Sequence, residues 1–214
     1  MKVKVKEFSW VVLSILISIP MFWGCSDNGD SVVENAIIDD EATAIISEED
    51  KNALLFMLEE EKLARDTYAF LYDTWGMVQF NNIKQSEELH MTAVVTLLDA
   101  FNVDYEILPN GEFDNNDLQA LYNKFEEDGV MDEVSALKIG ATIEDLDIVD
   151  LEEHIQATTN SDIASVFASL QCGSRNHLRS FTQSLENIGS SYEPQFLTVE
   201  EYQSILDDSH EQCN

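Results

Sequence analysis

Glu59-Glu60-Glu61-Lys62-Leu63-Ala64-Arg65-Asp66 breaks an otherwise apolar helical stripe, and a similar break recurs on each of three later helices. Read at three- and four-residue spacing, the inward face around this stretch is Leu54, Leu58, Glu61, Arg65, Tyr68 and Tyr72. The pattern predicts a first long helix from about Glu48 to Trp75, opened by Ser47 with acids in its first turn and stopped by Gly76. A second helix, about Asn82 to Phe101, carries Ile83, Glu87, His90, Val94, Leu97 and Phe101. A shorter helix is expected from Asn115 to Asp128, ending at Gly129. A third long helix runs from about Asp132 to Ala157 with Gly140 as a weak point, and its stripe is Leu137, Ala141, Glu144, Ile148, Leu151 and Ile155. A fourth runs from about Asp162 to Ile188, capped by Asn160-Ser161-Asp162 and closed by Gly189; its stripe is Ile163, Phe167, Leu170, Ser174, His177 and Phe181. No alternating strand pattern competes, so the fold class is all-α, an antiparallel four-helix bundle with extra short helices.

Every stripe is apolar at both ends and polar near its middle. In an antiparallel bundle those middles lie at one level, so Glu61, Glu87, His90, Glu144 and His177 should converge, with Asp147 one turn beyond Glu144. Buried carboxylates without a counter-charge each cost several kcal/mol, and a divalent metal removes that cost. Carboxylate oxygen and imidazole nitrogen are suitable ligands, and Glu87-x-x-His90 places both on one helical face within reach of one ion. The competing solution is arginine. The chain has only Arg65, Arg175 and Arg179, all inside these segments, and their guanidinium groups could neutralise Glu61, Glu87 and Glu144 with no metal. That alternative gives a non-enzymatic interaction module. If metal binds instead, Arg65 and Arg175 become partners that orient ligating carboxylates, and Tyr68 a nearby hydrogen-bonding group or simple packing. His154 and His210 lie off the stripes and receive no role. Most of the Glu59-Glu60-Glu61 run is expected on the solvated surface.

Charge narrows the partners. Forty-two acidic residues against 11 basic ones leave a formal net charge of -31 over 214 residues. Such a surface repels nucleic acid phosphates and attracts cations, so metal ions or a basic partner fit and DNA or RNA does not. The N-terminus adds an address. Lys2, Lys4 and Lys6 precede an apolar run from Trp10 to Trp23, broken by Pro20, which ends in Gly24-Cys25. A small residue before a cysteine that closes a signal segment resembles the bacterial lipoprotein cleavage site, where Cys25 would be acylated; Phe22 and Trp23 depart from the usual pattern. The alternative is an ordinary secretory signal with an idle Cys25. The organisation expected is therefore a signal segment at 1–25, an acidic flexible tether at 26–46, the helical body at 47–190, and a C-terminal segment with a short helix at 191–214. Cys172 and Cys213 remain, free to pair in an oxidising envelope or to stay idle.

The motifs carry a family resemblance. Glu61-x-x-Ala64-Arg65-x-x-Tyr68, Glu87-x-x-His90, Glu144 and His177 resemble the ferritin-like superfamily, and its rubrerythrin-type members in particular. The resemblance implies a dimetal-carboxylate centre with iron first and manganese or zinc as alternatives. More closely, Glu59 to Asp66, Ser86-Glu87-Glu88-Leu89-His90-Met91 and Gly173-Ser174-Arg175-Asn176-His177-Leu178-Arg179 are similar to the bacterial and archaeal family known as domain of unknown function 2202. One departure matters: the fourth-helix pattern should read Glu-x-x-His, and position 174 is Ser174. A full dimetal site then loses one carboxylate unless Asp147 substitutes, which its position on the third long helix allows. An envelope anchor and acidic tether suit a monomer or small oligomer, not a closed storage shell.

Overall fold

A computed structural model describes residues 46–213. The signal segment with Cys25, and all of the tether except Ile46, lie outside the described residues. Six helices follow one another: α1 (Glu48–Trp75), α2 (Val78–Ala100), α3 (Asn116–Gly129), α4 (Glu133–Ala157), α5 (Ser161–Asn187) and α6 (Val199–Asp207). α1 packs along α2 and α4 along α5 as antiparallel hairpins, and α3 bridges α1 and α4. None of the described helices is long and apolar enough to cross a membrane.

The helix limits follow from local chemistry. Ser47 Oγ accepts from the Asp50 amide at 3.0 Å, and Asn115, Asp132 and Asn160 cap α3, α4 and α5 in the same way. Thr198 and Glu201 form a reciprocal capping box at α6. Gly76 closes α1 at φ 67°, a left-handed conformation that costs glycine nothing. α2 begins at Val78, four residues before the expected Asn82, because that turn needs only Gly76 and Met77. α4 continues unbroken through Gly140, where a Cβ would stand 2.5 Å from the Phe181 ring. The supposed weak point is thus where α4 and α5 approach closely.

Two apolar clusters fill the bundle. One holds Leu63, Leu71, Phe80, Leu137, Phe181 and Leu185, the other Leu54, Met57, Val94, Leu98, Phe167 and Leu170. Along α1, α2 and α5 the chain passes from one cluster to the other through its polar residues, with Glu60 and Glu61, Glu87, and Gln171 and Ser174 buried at the crossing. The polar middles read from the stripes therefore form one layer between two dry halves.

Loops are tied to this frame by buried charge. Lys62 Nζ contacts Asp66 at 2.7 Å and donates to the Pro109 and Glu112 carbonyls, while Asp66 also accepts from the Gly111 amide. Asp145 accepts from Tyr192 Oη and from the amides of Gln195, Phe196 and Leu197, which fixes the approach to α6. Cys172 and Cys213 form a disulfide with Cα atoms 5.6 Å apart, so the C-terminal segment is stapled to α5.

Candidate metal centre

Two three-residue constellations lie side by side in the polar layer: Glu61, Glu87 and His90, and Glu87, Glu144 and His177. In each, one ligand atom per residue falls within 4.8 Å of the others. Glu87 belongs to both. Its Oε2 stands 2.8 Å from His90 Nδ1 and its Oε1 stands 3.0 Å from His177 Nδ1. Glu61 Oε2 is 3.1 Å from His90 Nδ1, and Glu144 Oε2 is 3.4 Å from His177 Nδ1. Four helices thus deliver a pair of Glu/His sets that share one carboxylate, Glu87.

The donor atoms suit metal better than one another. Glu61 Oε1, Glu87 Oε1 and His177 Nδ1 are buried and make no hydrogen bond. His177 Nδ1 and Glu87 Oε1 are 3.0 Å apart, yet they do not meet hydrogen-bond geometry and both are left without a partner. Lone pairs so arranged are what a cation between them requires. The residues present therefore fit a dinuclear centre.

The surroundings position these ligands. Tyr68, fully buried against Phe80 and Phe181, donates its hydroxyl to Glu144 Oε1. Gly173 sits behind His90, where a Cβ would come within 2.7 Å of Nε2, so glycine lets α5 pass close enough for the imidazole to turn its Nδ1 inward. Ser174 Oγ lies within hydrogen-bonding distance of both Asp147 Oδ2 and the Leu170 carbonyl, and its single proton is shared between these two acceptors. The residue standing where the family pattern has glutamate is thus a hydroxyl that orients an acid from α4. Asp147 itself is buried beside the ligands and belongs to neither constellation.

The arginines are directed elsewhere. Arg65 pairs with Asp66 and reaches Asn110, Arg175 holds Gln171 and Glu211, and Arg179 holds Glu211, Asn176 and the Ile205 carbonyl. None of these contacts reaches Glu61, Glu87 or Glu144. The acidic run is not mostly solvated, contrary to the sequence-based expectation: Glu60 and Glu61 are buried, and Glu59 accepts from the amides of Asp114 and Asn115. Composition suggested a surface run, but α4 lies against this side of α1. His154 packs between the rings of Phe56 and Phe167, and His210 lines a cleft near His90 and His177.

Charge distribution in the metal-free protein follows from these distances. Burial alone would lower His177, but Glu87 and Glu144 outweigh it and push it up to about 10. Burial likewise opposes protonation of His90, and Glu61 and Glu87 overcome it. Burial would raise Glu87, yet the two imidazolium groups hold it well below the usual carboxylate range. Burial lifts Glu61 to about 7 despite His90. His177 is therefore raised above its unfolded value, so its contribution to metal-free stability is complete below roughly pH 6.5 and is lost as pH rises through about 10. Ligation needs neutral imidazole, so metal uptake at pH 7.5 should release a proton from each histidine and tighten with rising pH. Calorimetry in buffers of different ionisation heat measures this; a proton count near zero would mean that both rings are already neutral.

Comparison with known proteins agrees with this architecture. Residues 50–209 match the family described as an uncharacterized protein domain, DUF2202. The uncharacterized protein MJ0754 of Methanocaldococcus jannaschii is 49% identical over 168 residues, covering 78% of this chain and 91% of that protein. The crystal structure of hypothetical protein MJ0754 from Methanococcus jannaschii DSM 2661 superposes with a TM-score of 0.76 at 49% identity, covering 78% of this chain and 96% of that one. With an all-α ferritin-like bundle and this extent of matching sequence, the chain belongs to the DUF2202 family.

Proposed function

We propose that this protein is an envelope-tethered metalloprotein that binds two metal ions in its polar layer, iron first, and uses them to oxidise Fe(II) or reduce peroxide. The observation that carries the reading is Glu87, a buried carboxylate placed between two histidine Nδ1 atoms, each with its own terminal glutamate. A bridging carboxylate holds two cations close enough to act on one small molecule. Iron in both positions would supply one electron each, the pair needed to split the O–O bond of hydrogen peroxide with uptake of two protons and release of water.

The protein's own residues set access and orientation. A cleft of about 770 Å³, lined by Asn82, Ser86, His90, Asn176, His177 and His210, opens onto the histidine side of the layer. The polar side chains in its lining can receive small hydrophilic molecules, while the apolar clusters above and below keep bulk water from the carboxylates. Tyr68 holds Glu144 in place through its buried hydroxyl. Zinc in the same ligands has no redox change to offer and would leave a storage or structural role, whereas manganese would keep the centre redox-capable. The acidic surface leaves nucleic acid out, and attachment through an acylated Cys25 would make a monomer or small oligomer the natural state.

Protein purified without chelator should contain about two metal ions per chain by elemental analysis, the count set by two ligand sets. Anaerobic loading with Fe(II), followed by oxygen or hydrogen peroxide, should consume the oxidant in proportion to the iron. Metal-free protein that stays empty after Fe(II) and Mn(II) incubation would overturn the reading. Binding without oxidant consumption above the buffer blank would remove its redox half. Replacing Cys25 with serine should move the protein from the membrane fraction to the soluble one.

A further inference from the structure

Residues 208–213 follow α6 without helical structure. Among the described residues, the hydrogen bonds of this segment and its covalent link all go to α5. Glu211 accepts from Arg175 Nε and from Arg179 Nη2, both at 2.8 Å. Its amide donates to Asn176 Oδ1 at 2.9 Å, and its carbonyl accepts from Asn176 Nδ2 at 3.1 Å. Cys213 is bonded to Cys172. Cys172, Arg175, Asn176 and Arg179 recur at helical spacing, so the segment runs along one flank of α5.

That flank borders the metal centre. His210, Glu211, Gln212 and Cys213 form one wall of the cleft that His90 and His177 also line. The two imidazoles keep only 12% and 13% of their side chains exposed. Gly173, the neighbour of Cys172, is the residue packed against His90 Nε2. The disulfide therefore fixes the cleft wall beside a candidate ligand.

We propose that segment 208–213 is a strap that restricts entry to the dinuclear centre, latched by the Cys172–Cys213 disulfide and released by a dithiol reductant. This rests on the metal-binding reading and adds how that site is regulated. Cys213 is exposed and Cys172 buried, so a thiolate of the reductant attacks Cys213 Sγ. The bond between the two cysteines breaks as a mixed disulfide forms, and Cys172 leaves as a thiolate that takes up a proton. The second thiol of the reductant then displaces Cys213. Two electrons and two protons pass to the protein, and the reductant becomes a disulfide. The remaining grip on Glu211 comes from side chains that are partly exposed, and such contacts open locally without unfolding the bundle.

Metal-free full-length protein offers two readouts. Co(II) uptake is followed by visible absorption in stopped flow, and carbethoxylation of His90 and His177 by diethylpyrocarbonate is mapped by peptide mass. Both should be several-fold faster in reduced wild type and in Cys172→Ser/Cys213→Ser than in oxidised wild type, and faster again when Glu211→Gln is added. The final Co(II) stoichiometry should not change. His154, packed between Phe56 and Phe167, is the internal reference and should be modified at one rate throughout. Equal uptake rates, or equal modification of His90 and His177, in oxidised and reduced protein would overturn the strap. A parallel rise at His154 would overturn it too, because the whole bundle would then have loosened. Faster modification of His90 and His177 without Co(II) binding in any form would sustain the strap and overturn the dinuclear reading, so the two fail separately.

Discussion

Glu87→Ala should empty both positions of the dinuclear centre, not one. Its two oxygens lie 2.8 and 3.0 Å from the Nδ1 atoms of His90 and His177, so removing it takes one candidate donor from each constellation. Each position would be left with one glutamate and one histidine, too few to hold a divalent ion against water. Outer partners of metal ligands typically cost about 10–100-fold in affinity when removed, and a shared ligand should exceed the top of that range for both ions. Glu61→Ala and Glu144→Ala offer the comparison, because each belongs to one constellation and should weaken mainly one ion. Elemental analysis after dialysis against a weak chelator reads the result. Retention of a full centre equivalent in Glu87→Ala would show that the carboxylate does not bridge.

The same substitution has a second consequence in the metal-free protein. Glu87 is a common partner of His90 and His177, and it helps to hold both protonated against burial. Without it, both imidazoles should titrate at lower pH, which the ring proton resonances would report. Glu87 is therefore the residue on which the proposed metal affinity and the charge state of the layer should both turn.

Opening the Cys172–Cys213 link should lower the melting temperature of the metal-free protein by roughly 10 °C. The bond closes a loop with a sequence separation of 41. On the chain-entropy account, such a closure removes about 4 kcal/mol of unfolded-state freedom, and each kcal/mol moves the midpoint by about 2–4 °C in a domain of this size. Other contacts would soften the loss. Glu211 is gripped by Arg175 and Arg179, and its amide donates to the Asn176 side chain, so the C-terminal segment retains an anchor. A Cys172→Ser/Cys213→Ser variant, melted beside reduced and oxidised wild type, separates the staple from incidental thiol effects. Metal stoichiometry should be unchanged, because neither cysteine belongs to either constellation. An unchanged melting temperature would mean that the ionic anchor alone holds the segment.

Much of the architecture is legible in the residues because helical structure is written locally. Ser47, Asn160 and Thr198 cap helices through their own side chains, and Gly76 ends α1 through its own backbone freedom. The placement of Glu61, Glu87, His90, Glu144 and His177 on inward stripes follows from spacing alone, and the layer between two apolar clusters lies where the stripes become polar. Residues on the flank of a stripe could not be judged in that way. Glu60 is buried because α4 covers it, and the direction of each arginine depends on which acid lies across the next groove.

The pairing of Ser174 with Asp147 makes the same point at the centre. The sequence shows a serine where the family pattern has glutamate and an acid one turn beyond Glu144. Spacing suggested that Asp147 could replace the missing ligand; in the structure it accepts the Ser174 hydroxyl and stands beside the constellations, outside both. Helical period assigns each residue a direction around its own axis, and for this protein that was enough to determine the all-α bundle and the level of its polar layer. It carries no information about how far apart two axes lie or which flank a neighbour covers. The tertiary structure therefore decided that Glu87 is shared, that Glu60 is sealed in, that the arginines serve the loops and C-terminus, and that Cys172 meets Cys213.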